Sequence, residues 1–143
     1  LVHTGDVLFH DHEAKSLALA RWNWQRMNSL PGYVQFYKTT PCYFMKDDHD
    51  VGFDDSYPGK DYGMVPFERG LEIFDKEQFP SHQKSYKTIR WGKDLQVWIV
   101  EGRNYRNQNY LDDGPNKTIW GKVQKRYQPK RLLMKNHSHL NIL

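Results

Sequence analysis

Residues 47–50 read Asp47-Asp48-His49-Asp50, three carboxylates around one imidazole within four positions. Like charges packed this closely repel one another unless a cation or a basic partner compensates them. Carboxylate oxygens suit hard cations, and an imidazole serves as ligand, general acid or hydrogen-bond donor near neutral pH. The same run also describes an exposed acidic loop in which water screens the charges and nothing is bound. The residues alone leave both readings open. Gly5-Asp6 follows the short apolar run Leu1-Val2 and places a carboxylate at a strand end, where open α/β sheets hold their ligands; Gly-Asp is equally a common turn dipeptide. His10-Asp11-His12 is a third cluster, but adjacent side chains seldom converge on one ion, and it reads as the polar entry to a helix. An EF-hand loop is excluded: counted from Asp48, the fifth position is Gly52, the sixth is Phe53, and Gly59 stands where a bidentate Glu is needed.

These residues need elements to hold them. From about Glu13 to Leu30, Leu17, Ala20, Trp24 and Met27 recur at helical spacing, with Arg21, Gln25 and Arg26 on a polar face, and Pro31-Gly32 is expected to stop the helix. Tyr33 to Phe44 is aromatic and β-branched and predicts a loop returning into a short strand that ends near Met45, so that the acidic block follows a strand. Residues 52–63 are loop chemistry, and Pro66 to Pro80 brackets a second helix through Phe67, Leu71 and Phe74. Tyr86 to Trp91 and Leu95 to Glu101, separated by Gly92-Lys93-Asp94, predict a hairpin with Trp98 and Ile99 buried in a central strand. After the turn at Asp112-Asp113-Gly114-Pro115, Ile119, Val123 and Tyr127 are expected to form the inner face of a basic third helix, interrupted by Pro129.

At 143 residues the chain is at most one domain, and 38% hydrophobic residues make it globular rather than disordered. The formal charge of +4 is unevenly spread: acids gather between Asp47 and Asp61, and bases dominate from Lys117 to Lys135. That gradient either draws an anionic substrate or is a solvated face. Cys42 is the single cysteine, so no intrachain disulfide forms. No stretch is long and apolar enough to span a bilayer, and no signal-type region is visible at the amino end. Leu1-Val2 and Leu140-Asn141-Ile142-Leu143 read as strand pieces, so the chain is expected to be a segment from inside a fold, without internal repeats.

Taken in order, several blocks resemble the PhoD-like alkaline phosphatases within the calcineurin-like metallophosphoesterases. They are His3-Thr4-Gly5-Asp6, Lys46-Asp47-Asp48-His49-Asp50, Tyr86-Lys87-Thr88-Ile89-Arg90-Trp91-Gly92, Val100-Glu101-Gly102-Arg103-Asn104-Tyr105-Arg106, and Thr118-Ile119-Trp120-Gly121 with Gln124 after it. The match covers nearly the whole chain, and a series of blocks is more specific than any one of them. The resemblance implies an α/β fold, a partial metallophosphatase-type sandwich with a mixed sheet, cut at both ends. It implies hydrolysis of phosphate mono- or diesters in the full-length protein, a periplasmic or secreted location, and two metal ions, calcium and iron. By the same resemblance Asp6 is a bridging metal ligand, Asp48 a second ligand in a position that is Asn in the wider superfamily, His49 the catalytic residue, and Asp50 an orienting residue. Two cations about 3.5 to 4 Å apart clamp a phosphoryl group, and a site built this way needs no side-chain base.

Departures from the family are equally specific. Val7, Leu8, Phe9 and His10 follow Asp6 where many relatives have a Tyr, and Glu101-Gly102-Arg103 replaces Asp-Thr-Arg, which makes Arg103 a structural residue on this reading. The family's other metal motifs would lie before Leu1 and after Leu143, so the 143 residues alone are expected to be inactive; His137 and His139 do not replace them. The expected partner is a phosphate ester, with nucleic acid entering only as a phosphodiester substrate. Two other classes remain: a non-catalytic binding domain on the same fold, and a nucleic-acid module using the basic carboxyl-terminal half with Trp91, Trp98, Tyr105 and Tyr110 as stacking surfaces.

Overall fold

The computed structural model describes residues 1–9, 14–62, 65–80, 84–133 and 140–142, with side-chain surroundings described except at 61–62, 128–133 and 140–142. His10-Asp11-His12, His137 and His139 lie outside the described residues. The fold is α/β, made of helices and small sheets. Strand β1 (Val2–His3) pairs in parallel with β2 (Tyr43–Phe44), placing Val2 opposite Tyr43 and His3 opposite Phe44. Parallel neighbours need a crossover, and it is helical: α1 (Leu17–Asn28) and α2 (Pro31–Thr39).

Helix α1 starts where Ser16 accepts a hydrogen bond from Leu19 N at 3.1 Å, a side-chain N-cap. Its buried face is Ala20 and Trp24, as the spacing predicts. Helix α2 corrects the expectation for residues 31–44. Pro31 opens a helix at its first position, where the missing N–H costs nothing, and only Tyr43–Phe44 is strand. Tyr33 and Tyr37 stack four residues apart along α2 at 5.6 Å.

Beyond the acidic block, β3 (Asp61–Tyr62) pairs antiparallel with β4 (Val65–Pro66). Helix α3 (Phe67–Glu72) follows and widens into a π-helical turn over Ile73–Gln78, closed by Phe79 N donating to Phe74 O at 2.9 Å. Gly70 lets α3 meet the loop after the acidic block, since a Cβ there would lie 1.7 Å from Val51 O. The main core fills this junction: Ala20, Trp24, Val51, Val65, Phe67, Ile73 and Phe74. Phe79 joins them to β2, stacked on Phe44 at 4.2 Å and edge-on to Trp24 at 5.5 Å.

The expected hairpin is present as β5 (Lys87–Trp91) and β6 (Leu95–Ile99), antiparallel, with Thr88 opposite Trp98. Strand β7 (Leu140–Ile142) adds to β6 in parallel, so β6 is central and the sheet is mixed. Trp98 is 5% exposed and Ile99 1%, as a central strand requires. Trp98 therefore offers no stacking surface to a nucleic acid.

Helix α4 (Gly121–Leu133) differs from expectation on two points. It runs through Pro129, and it turns Gln124 inward while Val123 is 66% exposed and Ile119, just before it, 57%. Gln124 Nε2 donates to Glu101 O at 2.7 Å, and Gln124 Oε1 accepts from Glu101 N at 2.7 Å. The backbone leaving β6 is thus satisfied on both sides by one amide, and a buried peptide group without partners is costlier than an apolar side chain left in water.

Candidate metal centre

Because β1 and β2 are parallel neighbours, the chain leaves both at the same end of the sheet, and Gly5-Asp6 meets Asp47-Asp48-His49-Asp50 there. Glycine at position 5 is dictated by geometry. Its φ is +112°, and a Cβ would stand 2.6 Å from Asp47 Cβ and 2.7 Å from Asp47 N. Asp6 follows with φ +54°, a left-handed conformation that Asp tolerates better than most residues.

Asp50, fully buried, holds the two segments together. Its Oδ2 accepts from Asp6 N at 2.7 Å and from Asp47 N at 2.9 Å; its Oδ1 accepts from Val7 N at 2.8 Å and Leu8 N at 3.1 Å. Burial pushes the Asp50 carboxyl above the usual carboxylate range, and the four N–H donors from Asp47, Leu8, Asp6 and Val7 pull it back. This carboxylate is spent on backbone and orients its neighbours.

Ligand atoms of Asp6, Asp48 and His49 lie within 4.8 Å of one another. Asp48 is buried and fixed: its Oδ2 accepts from Asp55 N at 2.7 Å and faces Arg103 Nη2 at 3.2 Å. The ring of His49 stacks on Phe9 at 4.2 Å, and its Nε2 is 4.0 Å from Asp54 Oδ1. The Asp6 carboxyl is raised, first by desolvation and then by the Asp47 and Asp48 carboxylates, against the opposing pull of His49 and Arg103. Two carboxylates with an imidazole form a donor set for a cation. Three donors are fewer than a closed metal shell, and far fewer than two.

Arg103, expected to be structural, reaches this centre. Its Nε donates to Asp47 Oδ1, Nη2 faces Asp48, and Nη1 donates to Ser56 O at 3.4 Å. The Arg103 backbone N donates to Glu101 Oε1 at 2.7 Å. Glu101 Oε2 in turn accepts from Lys46 Nζ at 2.6 Å, and Lys46 also pairs with Asp75 at 2.9 Å. The signal in the sequence was positional only: Arg103 follows the end of one strand as the acidic block follows another, and the two strands, β6 and β2, lie in separate sheets.

No helix among the described residues is long and apolar enough to cross a membrane. No family model matches the chain, and no curated protein matches it. Among solved structures it is similar to "Structure of PhoD", with a TM-score of 0.74 and 16% identity over 98% of this chain and 34% of that one. The chain therefore spans about a third of that protein. At this identity the likeness shows the fold alone: the chain folds as one part of PhoD does.

Proposed function

We propose that this chain carries part of the active centre of a metal-dependent phosphoesterase, hydrolysing phosphate mono- or diesters in the full-length protein. The observation that carries the reading is the convergence of Asp6, Asp48 and His49 at one sheet end, in a fold similar to that of PhoD. Asp6 and Asp48 would hold the cations, which supply the Lewis acid, and His49 would be the catalytic side chain. Asp50 orients Asp6 and Asp47 through their backbone N–H groups. Bound here, cations such as calcium and iron would supply Lewis-acid stabilisation of the phosphoryl charge and a nucleophile from water at neutral pH.

The chain's own residues do the rest. Arg103 pins one oxygen of Asp48 and offsets a crowd of carboxylates, and the His49 imidazole, held flat against Phe9, donates a hydrogen bond or a proton to the leaving oxygen. Further ligands come from outside the described residues, and a periplasmic or secreted location follows the same resemblance. In the full-length protein, Asp6→Asn and Asp48→Asn are each expected to lower cation occupancy, read by elemental analysis, together with turnover of bis(4-nitrophenyl) phosphate and 4-nitrophenyl phosphate. Wild-type turnover that survives exhaustive chelation, or occupancy unchanged in both variants, would overturn the reading.

A further inference from the structure

The segment between Arg106 and Trp120 has no regular secondary structure, yet its conformation is closely tied. Asn107 N donates to Thr118 O at 2.8 Å and Thr118 N donates to Asn107 Oδ1 at 2.8 Å, while Thr118 Oγ1 accepts from Gly121 N at 3.0 Å. Lys117 Nζ donates to Asn109 O, Leu111 O and Asp113 Oδ1 at 3.1, 2.6 and 2.9 Å, and Arg106 Nη2 to Asn109 Oδ1 at 2.6 Å. These bonds fix the two strands of the loop to each other. Ile119 and Trp120 stand exposed on this loop rather than folding into the core, at 57% and 36%.

Between them and Arg106, Asn107 and Lys125 lies a cleft of about 560 Å³, the size that takes a small organic ligand. Its apolar surface is Ile119 and Trp120. Lys125 is exposed at its edge and makes no ion pair among the described residues. Arg106 connects the cleft to the metal centre: its Nη2 is 3.9 Å from Asp55 Oδ1, the same oxygen is 3.9 Å from Arg103 Nη1, and Asp55 N is bonded to Asp48. An apolar, aromatic surface held open by a tied loop costs little to order when a ligand arrives.

We infer that the Ile119–Trp120 cleft is a subsite for the organic part of the substrate and selects phosphate esters of aromatic alcohols, the ring packing on Trp120 and a second anionic group, where present, meeting Lys125. This rests on the phosphoesterase reading above. Stacking on an indole is tolerant of ring identity, so the selected class is aryl and heteroaryl esters rather than one compound.

In the full-length protein, the ratio of kcat/KM for 1-naphthyl phosphate to that for glycerol 3-phosphate is expected to fall about tenfold in Trp120→Ala and to be largely restored in Trp120→Phe. Ile119→Ser, at a more exposed position, should lower the same ratio and keeps the test decisive if Trp120→Ala does not fold. Equilibrium dialysis with naphthalene-1-sulfonate, which is not hydrolysed, should show saturable binding that Trp120→Ala weakens by a similar factor. An unchanged ratio in both Trp120→Ala and Ile119→Ser, or no saturable binding of the sulfonate, overturns the proposal. Absence of turnover on every ester by the wild-type protein would overturn the phosphoesterase reading and the subsite role with it, while the dialysis result still decides whether the cleft takes an aromatic anion.

Discussion

Asp50→Asn tests the architecture of the candidate metal centre without touching a proposed ligand. The substitution is nearly isosteric, but it exchanges an acceptor for a donor at one end of the side chain. With the amide oxygen at the Oδ1 position, the bonds from Val7 N and Leu8 N survive, and the amide NH2 is brought against Asp6 N and Asp47 N, two donors that now face a donor. Hydrogen bonds to a charged acceptor contribute about 1.5–3 kcal/mol each, so two lost bonds cost about 3–6 kcal/mol. Removing a buried charge gives some of this back, because burial is what pushes the Asp50 carboxyl up. The net expectation is a loss of a few kcal/mol, smaller than the about 3–6 kcal/mol of the two bonds. Flipping the amide only moves the mismatch to Val7 and Leu8.

The assay is denaturant unfolding of the full-length protein, wild type and variant, stripped of metal, with calorimetric titration of the cation on both. Stability should fall by the stated amount, and cation affinity should fall at least tenfold, because Asp6 and Asp47 lose the anchor of their backbone N–H groups. A stability change below about 0.5 kcal/mol with unchanged affinity would refute the reasoning, since ordinary surface substitutions do no more than that.

Three other outcomes are expected. Gly5→Ala should cost more than about 2 kcal/mol and lower cation affinity, since its Cβ would stand 2.6 Å from Asp47 Cβ at a φ of +112°; a denaturation midpoint equal to wild type would contradict the close approach. His49→Ala should retain most of its cation while turnover drops on the order of 10² to 10⁴, the usual contribution of a placed general acid; loss of cation instead would make His49 a ligand, and unchanged turnover would remove it from the chemistry. Trp98→Ala should cost roughly 3–5 kcal/mol by denaturant midpoint, as its 5% exposure implies for a large core side chain; a change under about 1 kcal/mol would mean that its surroundings collapse around the gap.

Much of the frame is legible in the sequence where apolar spacing decides the structure. Ala20 and Trp24 face the core as the helical period requires, and the hairpin around Gly92-Lys93-Asp94 is present, with Trp98 and Ile99 buried in its second strand. The failures come where one residue type carries two meanings. Pro31 follows one helix and reads as its stop, yet Ser29 already caps α1 and Pro31 is the first residue of α2. Aromatic content made residues 33–44 look β-rich, although Tyr33 and Tyr37 have the four-residue spacing of a helix face. In α4 the apolar pattern chose Val123, but backbone polarity chose Gln124, and a pattern that counts only hydrophobic residues cannot see that. Of the centre, Asp6, Asp48, His49 and Asp50 are brought to one place, whereas Arg103 was read as structural without its carboxylate partners, because Asp47 and Asp48 lie more than fifty residues before it.

The buried charges explain how two separate strand exits keep a fixed spacing at the candidate metal centre. Lys46 ends the run that leaves β2, and Glu101 the run that leaves β6; their side chains are 1% and 4% exposed and 2.6 Å apart. Such a pair gains little net stability over apolar residues of the same shape, because desolvation consumes most of the attraction. It does reject every register that would leave either charge alone, at a cost of about 3–5 kcal/mol. The next residue beyond Lys46 is Asp47, and Arg103 lies two beyond Glu101, so fixing the pair also fixes the guanidinium against Asp47 and Asp48. Asp75 on the π-helical turn and Gln124 on α4 complete the arrangement, the first on Lys46 and the second on both sides of the Glu101 peptide. Four elements are thereby held to one polar knot next in the chain to Asp47. The Asp55 N–H, on the same Asp48 oxygen that faces Arg103, closes the acidic loop. A centre assembled from loops thus takes its geometry from strand ends, and the polar residues that link those ends serve to place Asp48 rather than to stabilise the core.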